Sequence, residues 1–299
     1  MVVTRFAPSP TGELHLGHAY AALYAQHLAK EESGKCLLRF EDIDHTRVRE
    51  EYYQQIEDDL TWLGIEWETP VLKQRDRLPA YEDALRTLQQ LEVVYPCFCT
   101  RKEIEAELAA INNAPHGSEG PLYPGTCRNL SPTERAERIA SGESHCWRLD
   151  ADAAIAKTGP LLFEDKIWGQ VGVDTSLLGD VVLARKDIAT SYHLAVIVDD
   201  AFQDITDVTR GEDLLPSTHI HRILQELLGL PEPIYHHHRL ILDEMANASP
   251  NATNPRHFAS SEKTGKTPLK SVIFSSILVS RSRTKFLTTS VSPYTLSRS

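Results

Sequence analysis

The stretch from Arg5 to Gly12 constrains the chain most, because it joins a strand-like run to a helix-like one. Arg5 to Ala7 read as a short strand, and the prolines and glycine that follow mark a loop. From Ala19 onward the apolar residues recur at helical spacing, which predicts an amphipathic helix. A strand, a tight loop and a helix N-terminus together present backbone N–H groups and a positive dipole end to phosphate.

Two histidines stand at the predicted start of this helix, where His15 and His18 are separated by Leu16 and Gly17. An imidazole N–H can donate to a phosphate oxygen, and a glycine lets the backbone approach closely. A lone histidine at a helix start would be an ordinary residue. Directly after Ala-Pro-Ser-Pro-Thr-Gly, the pair instead predicts a polyphosphate site.

The run from Arg5 to His18 resembles the nucleotide-binding signature of class I aminoacyl-tRNA synthetases, in the form used by the glutamyl branch. The resemblance implies an α/β fold with a Rossmann-like catalytic domain. It also implies that His15 and His18 are catalytic, that Gly17 joins them in binding ATP, and that Mg²⁺ accompanies ATP. The same resemblance assigns a first set of glutamate-binding residues: Arg5, Phe6, Ala7, Pro8 and Ser9.

An acidic run, Glu41-Asp-Ile-Asp44, follows a strand-like segment. In open α/β sheets, ligands bind beyond the carboxyl ends of strands, which favours a site here over a solvated turn. Such close carboxylates need a cation, for which Arg5 or the amino group of a bound amino acid is available. By resemblance, Glu41 contacts the amino-acid substrate.

Two residues in the second half of the chain match amino-acid-site motifs of the glutamyl branch. Arg210 lies in the run Thr-Arg-Gly-Glu-Asp-Leu, and a guanidinium can pair bidentately with a carboxylate. A single surface ion pair is the alternative for an isolated arginine. With Tyr192 and the surrounding motif, the resemblance implies that both residues bind glutamate.

The cysteines Cys97, Cys99 and Cys127 bracket a compact segment and suit a structural tetrahedral Zn²⁺ site, which needs four ligands. The chain has five cysteines, and an odd number in a chain that we expect to be cytoplasmic favours metal or free thiols over disulfides. His116 is a chemically simple fourth ligand. Three buried thiols without metal are the other interpretation.

The resemblance points to a different fourth ligand. Short paralogues of the glutamyl enzymes, which modify queuosine, carry Cys-x-Cys followed by Tyr-x-x-x-Cys, and this chain has that spacing. The implied Zn²⁺ ligands are therefore Cys97, Cys99, Tyr123 and Cys127. The remaining cysteines, Cys36 and Cys146, lie in strand-like apolar runs and are expected to be inert.

With 299 residues the chain has room for a large core and two packed units. We predict a catalytic domain split into 1–92 and 180–244, an inserted zinc-containing subdomain over 93–179, and an irregular, disordered tail over 245–299. No apolar run is long enough to cross a membrane. The net charge of −11 argues against a general nucleic-acid-coating surface but leaves room for a local basic groove.

After Glu244 the family has a loop of the Lys-Leu-Ser-Lys type, whose lysines hold the triphosphate during adenylate formation. Here the segment from Met245 to Phe258 contains no lysine. Reading its possible codons from the third base permits Gly-Lys-Arg-Leu-Ser-Lys and further residues of the missing loop. We therefore hypothesise a frameshift near Met245, in the gene or in its sequencing.

The resemblance covers Met1 to about Glu244, and the short remainder leaves no anticodon-binding domain. Together with the Cys/Cys/Tyr/Cys pattern, this implies the short paralogue. Such an enzyme activates glutamate with ATP and transfers it to queuosine in the anticodon of tRNA(Asp). We expect a cytoplasmic monomer without a membrane partner. The alternatives are a truncated glutamyl-tRNA synthetase, a catalytically impaired remnant, and a small-molecule adenylating ligase.

Overall fold

A computed structural model describes residues 1–110, 116–117 and 120–240. The predicted tail over 245–299 and the frameshift hypothesis therefore lie outside the described residues, as does the position of the lysine loop. Within the described ranges, no helix combines the length and the apolar character that crossing a bilayer requires.

Helices and strands alternate along the described residues. The strands are β1 (Val3–Phe6), β2 (Lys35–Phe40), β3 (Glu68–Lys73), β4 (Val94–Cys97), β5 (His116–Gly117), β6 (Gly120–Pro121), β7 (Cys146–Leu149), β8 (Leu162–Asp165), β9 (Gly169–Gly172), β10 (Val182–Ala184), β11 (Asp207–Gly211) and β12 (Ile234–His238). The helices are α1 (Leu16–Glu31), α2 (Glu50–Leu63), α3 (Leu78–Gln90), α4 (Arg101–Ala110), α5 (Pro132–Ala140), α6 (Ala151–Thr158), α7 (Tyr192–Phe202) and α8 (Leu215–Leu228).

Parallel strands carry the site. Strands β1, β2 and β3 pair in parallel, and β11 pairs in parallel with β12. The two groups adjoin, because Val3 N donates to Thr206 Oγ1 at 2.8 Å and Thr206 N donates to Val3 O at 3.0 Å. The carboxyl ends of β1, β2 and β11 therefore meet at one edge, which is where open α/β sheets bind ligands.

Helix α2 shows how the sequence sets these elements. Its buried residues Tyr53, Ile56, Leu60 and Leu63 recur at helical spacing and pack in the core beneath the sheet of β1 and β2. The helix ends at Gly64, whose φ of 74° is a left-handed conformation that glycine adopts without strain. The spacing of these four residues, with Gly64 after the last, predicts a helix that stops at this glycine, and the structure confirms it.

Helix α8 begins earlier than predicted. The sequence suggests Ser217 or Thr218 as its N-cap, whereas the helix starts at Leu215 with a proline in its first turn. The cap prediction was wrong because the Thr218 hydroxyl accepts from Arg210, not from a backbone N–H of the helix, and it also contacts His237 and Leu214 O. The stop at Gly229 is as predicted, with a φ of 63°.

The segment between the two parallel groups has two parts. Strands β4, β7 and β10 form an antiparallel sheet, whereas β8 pairs with β12 and carries β9 at its edge. Part of the segment 93–179 thus extends the sheet of β11 and β12. Our division into 1–92, 93–179, 180–244 and 245–299 stays a prediction.

Candidate functional site

The N-terminus of α1 is capped by the two predicted histidines. His15 is the N-cap, and its Nδ1 accepts a hydrogen bond from Gly17 N at 3.1 Å. In return His18 Nδ1 accepts from His15 N at 3.3 Å, so the two rings form a reciprocal capping box. The rings stack with their centroids 3.7 Å apart.

This capping fixes the chemistry that the rings offer. Because each Nδ1 accepts a backbone N–H, each neutral ring carries its proton on Nε2 and can donate it to a phosphate oxygen. Burial, and next the charge of His15, lower the pKa of His18 to about 4, so His18 is neutral at physiological pH. A Cβ on Gly17 would lie 3.1 Å from the His15 ring, so glycine leaves room for this arrangement.

The predicted segment Arg5–Ser9 runs from β1 into the loop before α1. Phe6 is 8% exposed and packs in the core, so its backbone is what it can present to a ligand. Pro8 O accepts a hydrogen bond from Glu41 N at 3.0 Å, which ties the loop to the end of β2. Ala7 is half-buried and Ser9 is exposed.

Asp200 of α7 joins Arg5 to the end of β2. Its carboxylate accepts from Arg5 Nε at 2.8 Å and from Arg5 Nη2 at 3.2 Å, a bidentate pair. It also accepts from Arg39 Nη1 at 2.7 Å, and Arg39 Nη2 reaches Glu41 Oε1 at 3.4 Å. One buried carboxylate therefore positions both the Arg5 guanidinium and the arginine beside Glu41.

The cations that balance the acidic run differ from the expectation. Arg5 does not pair with this run, because Asp200 holds it, and Arg39 is the direct partner of Glu41. Burial raises the pKa of Glu41, and the charges of Arg39 and Arg5 oppose this shift. Glu41 is thus a half-buried carboxylate whose side chain is 15% exposed, so it can receive a substrate ammonium group.

Arg210 is surrounded by neutral groups. Its guanidinium lies 3.2 Å from the Tyr192 hydroxyl, 3.2 Å from His221 Nδ1 and 3.1 Å from His237 Nε2, and it also donates to the Thr218 hydroxyl. Among the described residues, no carboxylate lies within 4.0 Å of it. Since the side chain is only 6% exposed, the described part of the chain leaves a buried cation here without a counter-charge.

Four of the eight predicted glutamate-binding residues come together through their side chains: Arg5, Glu41, Tyr192 and Arg210. The Tyr192 hydroxyl contacts Arg210. Burial raises the pKa of Tyr192, Glu41 adds to the increase, and the charges of Arg210 and Arg5 oppose it. Arg5 Nη1 also donates to Thr209 O at 3.4 Å, next to Arg210 in β11. The site therefore contains a carboxylate and an unneutralised guanidinium close together, which is the chemistry needed for an ammonium and a carboxylate of one amino acid.

Several contributing residues were missed from sequence. The pair Asp199-Asp200 and the run of histidines before Arg239 are visible in the sequence, but no spacing shows that they reach Arg5 or Arg210. Arg39 looked like part of an apolar strand, and it is fully buried. His221 contacts Arg210 from α8. The isoleucines beside it predict a buried helix, and nothing in that pattern marks His221 as a site residue.

The predicted metal ligands also come together. The Sγ atoms of Cys97, Cys99 and Cys127 lie within 4.8 Å of one another. The Tyr123 hydroxyl is 3.4 Å from Cys97 Sγ and 3.5 Å from Cys99 Sγ. With Zn–S bonds of about 2.3 Å, tetrahedral ligand atoms lie about 3.8 Å apart, so the set fits Zn²⁺. The side chain of His116, the alternative ligand, lies outside the described residues.

Cys146 lies in β7, in line with its strand-like run, and packs beside the three predicted cysteine ligands. It is opposite Cys97 in the pairing of β4 with β7, and it packs in the same buried group. Hydrogen bonding from the Cys146 thiol, with smaller contributions from Tyr123 and Arg148, lowers the pKa of Cys97 to about 4. A thiolate at Cys97 is the form that binds a metal.

The chain is similar in sequence to known proteins. Residues 1–249 match the family model for the catalytic domain of class I tRNA synthetases, E and Q. A protein named glutamyl-Q tRNA(Asp) synthetase from Rhodobacter capsulatus is 46% identical over 275 residues, which cover 89% of this chain and 97% of that protein. A protein named glutamate–tRNA ligase 2 from Syntrophus aciditrophicus is 38% identical over 80% of this chain, which spans 49% of that protein.

Solved structures show the same fold. A glutamate–tRNA synthetase from Elizabethkingia anophelis is 30% identical with a TM-score of 0.70, over 81% of this chain and 50% of that one. This chain therefore spans half the length of that structure. A methionyl-tRNA synthetase from Mycobacterium tuberculosis, 11% identical with a TM-score of 0.52 over 87% of this chain and 61% of that one, is similar in fold alone.

Proposed function

Because the chain belongs to the class I tRNA synthetases for glutamate and glutamine, whose substrates are ATP, an amino acid and a tRNA, we propose that it activates glutamate with ATP and transfers it to queuosine in tRNA(Asp). The observation that carries the choice of glutamate is Arg210, a buried guanidinium held by neutral groups beside Glu41. An amino acid with a second carboxylate supplies the missing counter-charge, and its ammonium group meets Glu41.

In the first step, an oxygen of the glutamate α-carboxylate attacks the α-phosphorus of ATP. A bond forms to the adenylate phosphate and pyrophosphate leaves, which gives glutamyl-adenylate. The α-carboxylate must stay free to attack, so we assign the side-chain carboxylate to Arg210 with help from Tyr192. His15 and His18 donate from Nε2 to the ATP phosphates, and the chain's contribution is positioning and charge stabilisation.

In the second step, a hydroxyl of the queuosine cyclopentenediol attacks the activated carbonyl. An ester forms and AMP leaves. The Rhodobacter capsulatus protein named glutamyl-Q tRNA(Asp) synthetase supports the choice of queuosine, because the alignment with this chain covers 97% of that protein. Our further expectations of a monomer and a cytoplasmic location stay predictions.

We also propose that Cys97, Cys99, Tyr123 and Cys127 hold a structural Zn²⁺ that ties β4 to the loop before α5. The distances between the four ligand atoms support this proposal. Metal content of the purified protein tests it. We expect one zinc per chain, and loss of zinc in Cys127→Ser; wild-type protein without bound metal would reject the proposal.

Transfer of labelled glutamate to tRNA(Asp), with and without queuosine, tests the function as a whole. We expect label only in the queuosine-containing tRNA and release of the ester by mild base. Equal labelling of a glutamate tRNA at its acceptor end would favour the alternative, a truncated glutamyl-tRNA synthetase, which the 38% identity to a glutamate–tRNA ligase supports.

The missing lysine loop bears on catalytic power rather than on binding. The segment from Met245 to Phe258 has no lysine to hold the triphosphate. We therefore propose that the chain as written binds glutamate but exchanges pyrophosphate slowly, and that a one-base correction near codon 245 restores exchange. Sequencing the coding DNA decides between an artefact and a true product; independent reads with an intact, unshifted frame would remove the frameshift hypothesis.

A further inference from the structure

We propose that Asp165 and His237 are positioning residues, which orient Arg210 for the substrate carboxylate while leaving its positive charge unneutralised. The inference rests on the proposed glutamate site. It adds two residues from the central segment and from β12, neither of which was among the expected site residues.

A buried hydrogen-bond chain carries the proposal. Asp165 Oδ2 lies 2.6 Å from His237 Nδ1 and also accepts from His237 N at 3.2 Å, and His237 Nε2 lies 3.1 Å from Arg210 Nε. The side chains of Asp165 and His237 have no exposed surface, and Arg210 is 6% exposed. Thr218 closes the arrangement, because its hydroxyl is 2.8 Å from His237 Nε2 and accepts from Arg210.

The donors and acceptors of this chain allow one arrangement. A guanidinium has no acceptor, so His237 Nε2 must accept from Arg210 Nε. The ring proton then lies on Nδ1, where it donates to Asp165 Oδ2. The carboxylate also accepts from the backbone N–H groups of Ile167 and Trp168 at 2.7 and 2.8 Å, which holds it in place. Asp165 thereby fixes the tautomer that Arg210 requires.

A second pair of neutral residues, His221 and His193, lies on another side of Arg210. His221 Nδ1 accepts from Arg210, and its other nitrogen lies 3.2 Å from His193 Nδ1. Burial lowers the pKa of His237 and of His193 to about 4, so neither ring adds a charge at physiological pH. A carboxylate in direct contact would fix Arg210 equally well but would cancel the charge that a substrate carboxylate needs.

The substitution Asp165→Asn tests the tautomer without changing the size of the side chain. Its amide oxygen keeps the hydrogen bonds from Ile167 N and Trp168 N, while its NH₂ group takes the place of Oδ2, loses the 3.2 Å hydrogen bond from His237 N and donates to His237 Nδ1. The ring proton then moves to Nε2 and faces Arg210 Nε–H, donor against donor. We expect the affinity for L-glutamate, measured by titration calorimetry, to fall by roughly 10–100-fold, as for loss of a hydrogen bond to a charged group. The affinity for ATP should change by less than about threefold.

Asp207→Asn is the matched control. Asp207 forms a second buried pair with His236, with 2.8 Å between Asp207 Oδ1 and His236 Nε2. His236 precedes His237 in β12, so its side chain lies on the opposite face of the strand. This variant loses a comparable buried contact, and we expect its glutamate affinity to stay within about threefold of wild type. An equal loss in both variants would mean a general effect on folding and would overturn the proposal.

A second pair of variants keeps the test decisive if Asp165→Asn does not fold. In His237→Gln the side-chain carbonyl can replace Nε2 as a neutral acceptor, whereas His237→Leu removes it. We expect glutamate affinity within about threefold of wild type for Gln and a loss of at least about tenfold for Leu. Unchanged affinity in Asp165→Asn or in His237→Leu would reject the positioning role. Wild-type protein that does not bind glutamate would instead reject the proposed function itself.

Discussion

The buried arginines of the site differ in how their positive charge is balanced: Arg5 and Arg39 have a carboxylate partner, and Arg210 has neutral partners. Arg5 and Arg39 share the carboxylate of Asp200, with distances of 2.7 to 3.2 Å, and Arg39 also approaches Glu41. Arg210 has four neutral partners instead. Burial of a paired charge is tolerated, whereas a buried charge without a counter-ion costs several kcal/mol.

The difference assigns separate tasks to the two groups. The compensated arginines tie β1 and β2 to α7 and hold Glu41 at the end of its strand. In the proposed glutamate site, Arg210 keeps its charge available, and we expect the free-energy cost of burying it to be recovered when the substrate carboxylate binds. A stability measurement and a binding measurement should therefore separate the two groups.

The largest effect is expected from Asp200→Ala. The substitution leaves two buried guanidinium groups without their shared carboxylate, and breaking a buried ion pair costs about 3–5 kcal/mol of unfolding free energy. Urea unfolding followed by circular dichroism measures it. A loss below about 1 kcal/mol would show that Arg5 and Arg39 are not held by Asp200 in solution.

The same carboxylate should show in the pH dependence of stability. Burial opposes ionisation of Asp200, but Arg5 and Arg39 prevail and hold its pKa below the ordinary value. A lowered pKa gives stability that is fully present above the unfolded-state pKa, about 3.9, and is lost as the pH falls through the lower folded value. The difference in unfolding free energy between wild type and Asp200→Asn should thus be constant near pH 6 and become smaller below pH ~4. A gap that widens in acid would contradict this assignment.

Arg210→Met should separate binding from stability. The affinity for L-glutamate should fall by at least about 100-fold, because one partner of a desolvated charge pair is removed. The unfolding free energy should not fall, since a buried charge without a counter-ion is also removed. Arg222→Met is the control, because Arg222 forms surface ion pairs with Glu226 and Glu232 on the same helix and beside it. It should leave glutamate affinity unchanged, and a loss equal to that of Arg210→Met would contradict the contrast.

Glu41→Gln is expected to weaken glutamate binding by about tenfold. The change replaces a charge-assisted hydrogen bond to the substrate ammonium with a neutral one, a difference of about 1.4 kcal/mol. Titration calorimetry measures it, with glutarate as the control ligand because it has two carboxylates and no ammonium group. Glutarate binding that falls as much as glutamate binding would show that Glu41 does not meet the ammonium group.

The smallest effect is expected from Tyr192→Phe. Its hydroxyl lies 3.2 Å from Arg210 Nη1, and removing it takes away one neutral partner while the other three remain. We expect a three- to tenfold weaker affinity for glutamate, in line with about 1 kcal/mol for one hydrogen bond. Measured beside Arg210→Met, a larger loss in Tyr192→Phe would mean that Tyr192, and not the guanidinium, is the main contact.

The sequence predicts which residues belong to the site better than it predicts the hydrogen bonds that connect them. The loop before α1, Glu41, Arg210 and the four proposed metal ligands lie in local motifs, which is why the resemblance to the glutamyl branch predicts each of them. Asp165 and Asp200 carry no such motif, because their role depends on contacts across 72 and 195 residues of sequence. The same limit explains the misplaced start of α8, where the Thr218 hydroxyl serves Arg210 rather than the helix end.

A crystal structure with a non-hydrolysable mimic of glutamyl-adenylate is the most direct test, because the mimic keeps a single free carboxylate. We predict that this carboxylate lies within hydrogen-bond distance of the Arg210 guanidinium, with the ammonium group at Glu41 and the adenosine end at His15 and His18. A bound mimic whose carboxylate lies elsewhere, with Arg210 still held only by its neutral partners, would contradict the account.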